Sequence, residues 1–145
     1  MIGTDRVLLE TWPHVSLYDV RTRTPVWTSK AMAAQRNPAV VHNGHIYMFG
    51  GQSSEFLTCV EAATGKVRWT SRIYRGHLVL AGDTLVVLGE SSGLLRLVAA
   101  EPSGYRELVR VPVLVPGART GTPPSLAGGR IFVRNLEELV AIDAR

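Results

Sequence analysis

The sequence predicts an all-β fold, a partial β-propeller of three to four antiparallel four-stranded blades. Three observations predict it. One line of text recurs down the chain, as LYDVRTRTPVWTSK at 17–30, CVEAATGKVRWTSRI at 59–73, VAAEPSGYREL at 98–108 and LVAIDAR at 139–145. Between the copies lies a second line, AVVHNGHIYMFGG at 39–51, LVLAGDTLVVLGE at 78–90 and PSLAGGRIFVRN at 124–135, in which two short apolar segments flank a glycine-containing turn. The flanking residues are β-branched or aromatic, the types that suit a pleated, half-buried surface.

The repeat is phased on its tryptophans and glycines. Trp27 and Trp69 are 42 residues apart, which sets Asp19 over Glu61 and Thr22 over Thr64. Gly104 follows Gly65 by 39, with Leu108 in place of the tryptophan, and Asp143 follows Ala100 by 43. A period near 40 residues is the signature of a repeat architecture. Asn43-Gly44 and Gly82-Asp83 are strong hairpin pairs, since Gly, Asn and Asp tolerate the positive φ of two-residue turns. Each period therefore holds about four short antiparallel strands, one propeller blade.

The predicted strands are 6–10, 15–20 and 24–29; 38–42, 45–49, 56–62 and 66–71; 77–80, 84–89, 93–99 and 105–112; and 123–126, 130–134 and 138–142. They group as one repeat domain over 1–145, with blades at about 6–30, 38–73, 77–114 and 123–145. The first blade lacks its innermost strand and the last its outermost. Stacked blades bury their faces on neighbours, so an open arc needs cover at both ends. The expected partners are another protein chain, missing upstream blades or a second copy in a homodimer.

Composition excludes some classes. Of 145 residues, 46% are hydrophobic and 19% charged, as in a folded globular chain. No apolar run approaches the roughly 20 residues of a membrane span. The first ten residues carry Asp5, Arg6 and Glu10 and do not read as a secretory signal, so the expectation is a cytoplasmic chain or a leader further upstream. The net charge is +4, with 14 of the 16 basic residues Arg, but these are scattered without a run. A basic nucleic-acid-binding module is thus a second alternative, read from charge alone.

No constellation of catalytic type emerges. The lone Cys59 forbids an internal disulfide and reads as a small buried residue. His42 and His45 flank the Asn43-Gly44 turn without an evident third metal ligand. Ser53-Ser54 and Ser91-Ser92 occupy equivalent loops and read as linkers, and no Gly-rich stretch opens a helix that could cradle phosphate. No cofactor is expected. Asp19, Trp27, Glu61, Thr64, Gly65, Trp69, Gly104 and Asp143 read as residues that dock one repeat on the next. Loops on a rigid scaffold carry most recognition, which makes Gln52, Glu55, Glu90, Arg119 and Thr120 candidates for a binding rim.

The line Cys59-Val60-Glu61-Ala62-Ala63-Thr64-Gly65-Lys66-Val67-Arg68-Trp69 resembles the tryptophan-docking repeat of pyrroloquinoline-quinone-like (PQQ-like) β-propellers, Ala-x-Asp-x-x-Thr-Gly-Lys-x-x-Trp. Thr64, Gly65, Lys66 and Trp69 match, while Cys59 and Glu61 replace Ala and Asp. The resemblance runs from about Arg6 onward and is similar to the C-terminal blades of longer bacterial proteins. It implies that the tryptophans stack on neighbouring blades, and it implies a periplasmic or cell-envelope setting. The function expected is a non-catalytic scaffold for protein or ligand binding, part of a larger propeller. The alternative is a fragment of a quinoprotein oxidoreductase. The adjacent-cysteine disulfide and calcium ligands of that class have no counterpart in this sequence, and a fold does not carry its function with it.

Overall fold

A computed structural model describes residues 5–11, 13–30, 38–50 and 56–144. The strands form four antiparallel sheets. Blade 1 is β1 (Arg6–Thr11), β2 (His14–Asp19) and β3 (Thr24–Ser29). Blade 2 is β4 (Val40–His42), β5 (His45–Gly50), β6 (Phe56–Glu61) and β7 (Val67–Tyr74). Blade 3 is β8 (Gly76–Ala81), β9 (Thr84–Gly89), β10 (Leu94–Ala99) and β11 (Glu107–Pro112), and blade 4 is β12 (Ser125–Ala127), β13 (Arg130–Arg134) and β14 (Leu139–Asp143). Every sheet is a meander in chain order. The all-β, partial-propeller expectation therefore holds, down to sheets of three, four, four and three strands among the described residues.

Turn chemistry closes the inner hairpins. Asn43 and Gly44 take φ of 45° and 73°, and Gly128 and Gly129 take 56° and 73°, which matches the twist of the flanking strands. Each hairpin tip then accepts a backbone bond from the third strand of its blade: Ala62 N donates to Gly44 O, Ala100 N to Asp83 O and Ala144 N to Gly129 O. These bonds fix the phase of the repeat.

That phase corrects two alignments. The residue opposite Asp143 in the repeat is Ala99, not Ala100, because Ala100 and Ala144 make the equivalent bonds. Leu17 pairs Trp27, Cys59 pairs Trp69 and Leu97 pairs Val109. Val109, not Leu108, thus holds the tryptophan position, since the chain from Leu97 to Val109 is two residues longer than its counterparts.

Three apolar clusters fill three seams. Val15 with Ile46, Met48 and Val60 joins blades 1 and 2. Tyr47, Leu57, Cys59 and Trp69 with Leu78, Leu85 and Val98 joins blades 2 and 3. Val86, Leu88 and Leu95 with Ile131 and Val133 joins blades 3 and 4. No fourth cluster joins blade 4 to blade 1 among the described residues, and Leu9, Val26, Leu136 and Leu139 on those two blades stand exposed.

Cys59 lies wholly inside the second seam, and burial pushes its thiol up to about 11. Native chain at pH 8 should react with iodoacetamide only as fast as it unfolds. The unfolded thiol ionises first as pH rises, so stability should fall between about pH 9 and 11. Rapid alkylation of folded chain, followed by mass spectrometry, would contradict this placement.

Candidate functional site

The blades are joined by indoles. Strand side chains alternate between faces, and on β7 this buries Trp69, Ser71 and Ile73 while Arg72 and Tyr74 stay exposed. Trp27 Nε1 donates to Ala62 O of the next blade at 2.9 Å, and Trp69 Nε1 donates to Glu101 O of the next at 2.8 Å. Trp69 is buried and Trp27 half-buried, and each satisfies its one donor on the following blade.

Around these rings the other repeat residues shape the turns. Gly65 has φ +71°, and a Cβ on it would come within 2.7 Å of the Trp27 ring. Gly65 N donates to Glu61 O, and Thr64 Oγ1 donates to Glu61 Oε2. In blade 1 Asp19 Oδ1 accepts from the backbone N–H of Arg21 and Thr22. The Thr22 bond leads in holding its carboxyl below the usual carboxylate range. Arg23, with φ 57°, occupies the corner that Gly65 fills in blade 2, and its N–H likewise donates to Asp19 O. Gly104 differs from the expected pattern: its φ is not positive, and a Cβ there would meet nothing within 4 Å. Tyr105 stands beside Trp69 instead, edge-on at 5.9 Å between centroids. Asp143 ends β14, paired with Arg130.

On the surface that carries the blade-to-blade connections, a groove of about 790 Å³ opens between blades 2 and 3. Arg72, Tyr74 and Arg75 line one wall; Glu90, Ser91, Ser92, Arg96 and Arg119 line the other. Arg119 reaches it because the connector after β11 is fastened to the β9–β10 turn. Val113 N and Leu114 N donate to Gly93 O, Gly117 N to Ser91 O and Thr120 N to Glu90 O. The connector passes so close to Gly93 that a Cβ there would meet Leu114 O at 2.1 Å. Asn135 and Glu138 hold its far side, through Asn135 Nδ2 to Val115 O and Val115 N to Glu138 Oε1.

The groove's electrostatics are cationic. Arg119 Nε pairs with Glu90 Oε1 at 2.8 Å, and Arg96, largely buried, lies 3.3 Å from Glu107 Oε2. The Arg96 Nε–H has no aligned acceptor at that distance. Arg75 lies over the exposed Tyr74 ring, 5.3 Å from its centroid. Arg72 is exposed on β7 without an ion pair among the described residues. Among the described residues, four guanidinium groups thus share a concavity in which Glu90 is the one carboxylate of the lining.

Of the candidate rim, Glu90 and Arg119 meet here. Thr120 is 1% exposed, held by its N–H to Glu90 O, and its carbonyl faces His77 Nε2 at 3.1 Å. Its side chain is therefore packed inside the structure rather than offered at a rim. Gln52 and Glu55 lie outside the described residues, as do Ser53 and Ser54. Sequence reading missed Arg72 and Arg96, whose alternation on β7 and β10 gave no signal that their two strands face one groove. His42 and His45 are cross-strand partners beside their turn, as expected, and what sequence reading missed there is that His42 Nε2 also contacts Asp83 Oδ1 of the next blade at 2.8 Å. No group of three metal-ligating side chains occurs among the described residues.

Meandering sheets of three and four strands, with outer-strand indoles at two of their three seams, define a β-propeller arc of the PQQ-like class. The chain belongs to the family described as outer membrane protein assembly factor BamB, whose model matches residues 13–97 and 57–145. It is similar in fold to Kluyveromyces lactis Hsv2, at 9% identity and a TM-score of 0.75, covering 100% of this chain and 48% of that one. It is also similar to BamB from Moraxella catarrhalis, at 14% identity and a TM-score of 0.50, covering 97% and 55%. A europium-containing methanol dehydrogenase matches at 17% identity and a TM-score of 0.62, covering 91% and 33%. The chain thus spans about half or less of these solved structures, and at such identities the likeness concerns fold alone. No curated protein matches the sequence.

Gly65 and Gly44 provide a matched pair, with φ of +71° and +73° but only Gly65 against an indole. Gly44→Ala should cost about 1 kcal/mol, the penalty of a positive φ alone. Gly65→Ala should cost at least about 2 kcal/mol more, as the Trp27 ring is displaced. Urea unfolding of both variants checks this, and equal losses would remove the contact from the account.

Proposed function

We propose that this chain is a non-catalytic interaction module, part of a larger PQQ-like propeller of the cell envelope, that holds an acidic segment of a partner protein in the arginine groove. The groove carries the proposal. Guanidinium forks pair carboxylates bidentately, and Arg72 and Arg75 at the end of β7, Arg96 on β10 and Arg119 on the connector after β11 converge from three separate segments. A peptide fits this lining better than a phosphate ladder does. Its backbone N–H groups can donate to Glu90 and to the Ser91 and Ser92 hydroxyls, donors that a DNA sugar-phosphate backbone lacks. The envelope setting is supported by the family's description as an outer membrane protein assembly factor. The exposed apolar residues on blades 1 and 4 support cover by further blades, another chain or a second copy.

The test uses the purified chain and a fluorescein-labelled ten-residue Asp/Glu peptide, followed by anisotropy. Binding should weaken at least tenfold in Arg72→Gln/Arg119→Gln, with circular dichroism unchanged, and a Lys-containing peptide of the same length should not compete. If a single-stranded oligonucleotide binds more tightly than the peptide, with a steep salt dependence, the nucleic-acid reading replaces this one. Peptide binding that ignores both arginines removes the groove from the function.

A further inference from the structure

The repeat places a tryptophan at two seams and leaves the third without one. Val109 takes its place on β11, and beside its cross-strand partner Leu97 a second cavity of about 330 Å³ opens between blades 3 and 4. Five of its lining residues correspond to the surroundings of Trp69, and Ala81, Thr84, Ala127, Gly129 and Arg130 complete the lining. On the tryptophan's own blade Tyr47 and Cys59 are cross-strand partners in the Trp69 cluster, and Val86 and Leu97 are the matching pair. On the following blade Leu80 and Leu85 pair in the Trp69 cluster, and Leu126 and Ile131 are the matching pair. Ala100 belongs to that same cluster, and Ala144, its equivalent by backbone bonding, lines the cavity. The cavity therefore stands where an indole stands at the other seams.

We infer that this cavity is a socket for the side chain of a tryptophan presented by a partner protein. Trp27 Nε1 bonds to the Ala62 carbonyl, and Ala144 is the equivalent of Ala62 by its bond to the hairpin tip. On the Trp27 pattern the Ala144 carbonyl is the acceptor for the indole, and Thr84 and Arg130 stand beside the apolar walls of the socket. A protein-borne ring is favoured over a free aromatic molecule by the mouth of the socket. Val109 and Val111 on β11 are 45% and 37% exposed, and Leu126 on β12 is 41% exposed. These side chains extend the apolar surface beyond what one ring covers, as residues flanking a tryptophan would require. The inference rests on the interaction-module reading only in taking the partner to be a protein, and its socket shares no lining residue with the arginine groove.

The chain itself supplies a test. Val109→Trp should place an indole in the socket and raise the melting temperature by about 3–6 °C, from roughly 1 kcal/mol gained at the seam. The wild-type chain should bind a short uncharged peptide bearing 5-fluorotryptophan, followed by ¹⁹F NMR, at least tenfold more tightly than the same peptide bearing 4-fluorophenylglycine. Val109→Trp should abolish that preference, and Leu97→Phe, which fills the socket from its floor, should weaken it should the first variant misfold. Peptide binding that is indifferent to the tryptophan, or retained in a folded variant with a filled socket, overturns the proposal. Failure of the acidic peptide in the arginine groove would leave this result standing, so the two readings fail separately.

Discussion

The structure depends on one contact, an outer-strand indole laid across the seam onto the next blade. A four-stranded sheet of this size buries little by itself, and a propeller blade becomes stable only against a neighbour. The Trp27 and Trp69 rings extend the apolar clusters of two seams to the blade periphery, and their Nε1–H bonds to Ala62 O and Glu101 O fix the approach. The turn that receives Trp27 must stay flat, which is why Gly65 stands under the ring. At the second seam a tyrosine edge does this work, and Gly104 is left without a packing role.

From the seams follows the placement of the groove. Once blades 2 and 3 are locked, β7 and β10 present Arg72 and Arg96 toward the same concavity. The connector after β11 is then fastened over the Glu90–Gly93 turn by backbone bonds, which fixes where Arg119 projects. The charge of the groove is thus a consequence of how rigid blades converge, and the scattered arginines of the sequence become a cluster only in three dimensions.

Much of this was legible in the sequence because it is local. Hairpin turns announce themselves through Asn43-Gly44 and Gly128-Gly129, strands through β-branched runs, and the period through Trp27 and Trp69. What was not legible depends on register or on contacts between blades. The two extra residues between Leu97 and Val109 shift the third copy, so alignment by Gly104 chose Leu108 in place of Val109. Thr120 looked like a polar loop residue, yet its loop folds back and buries it. His42 meets Asp83, 41 residues away, and no spacing rule links them.

The claim that an indole holds blade 1 to blade 2 and blade 2 to blade 3 is tested most directly by hydrogen exchange, read by mass spectrometry, on Trp69→Ala beside the parent chain. The account predicts lost protection on both sides of the second seam, in β5 and β6 of blade 2 and in β8 and β9 of blade 3, with the seam between blades 1 and 2 better preserved. Protection lost only within β7 would contradict it, since the ring would then stabilise its own strand and not the joint between blades.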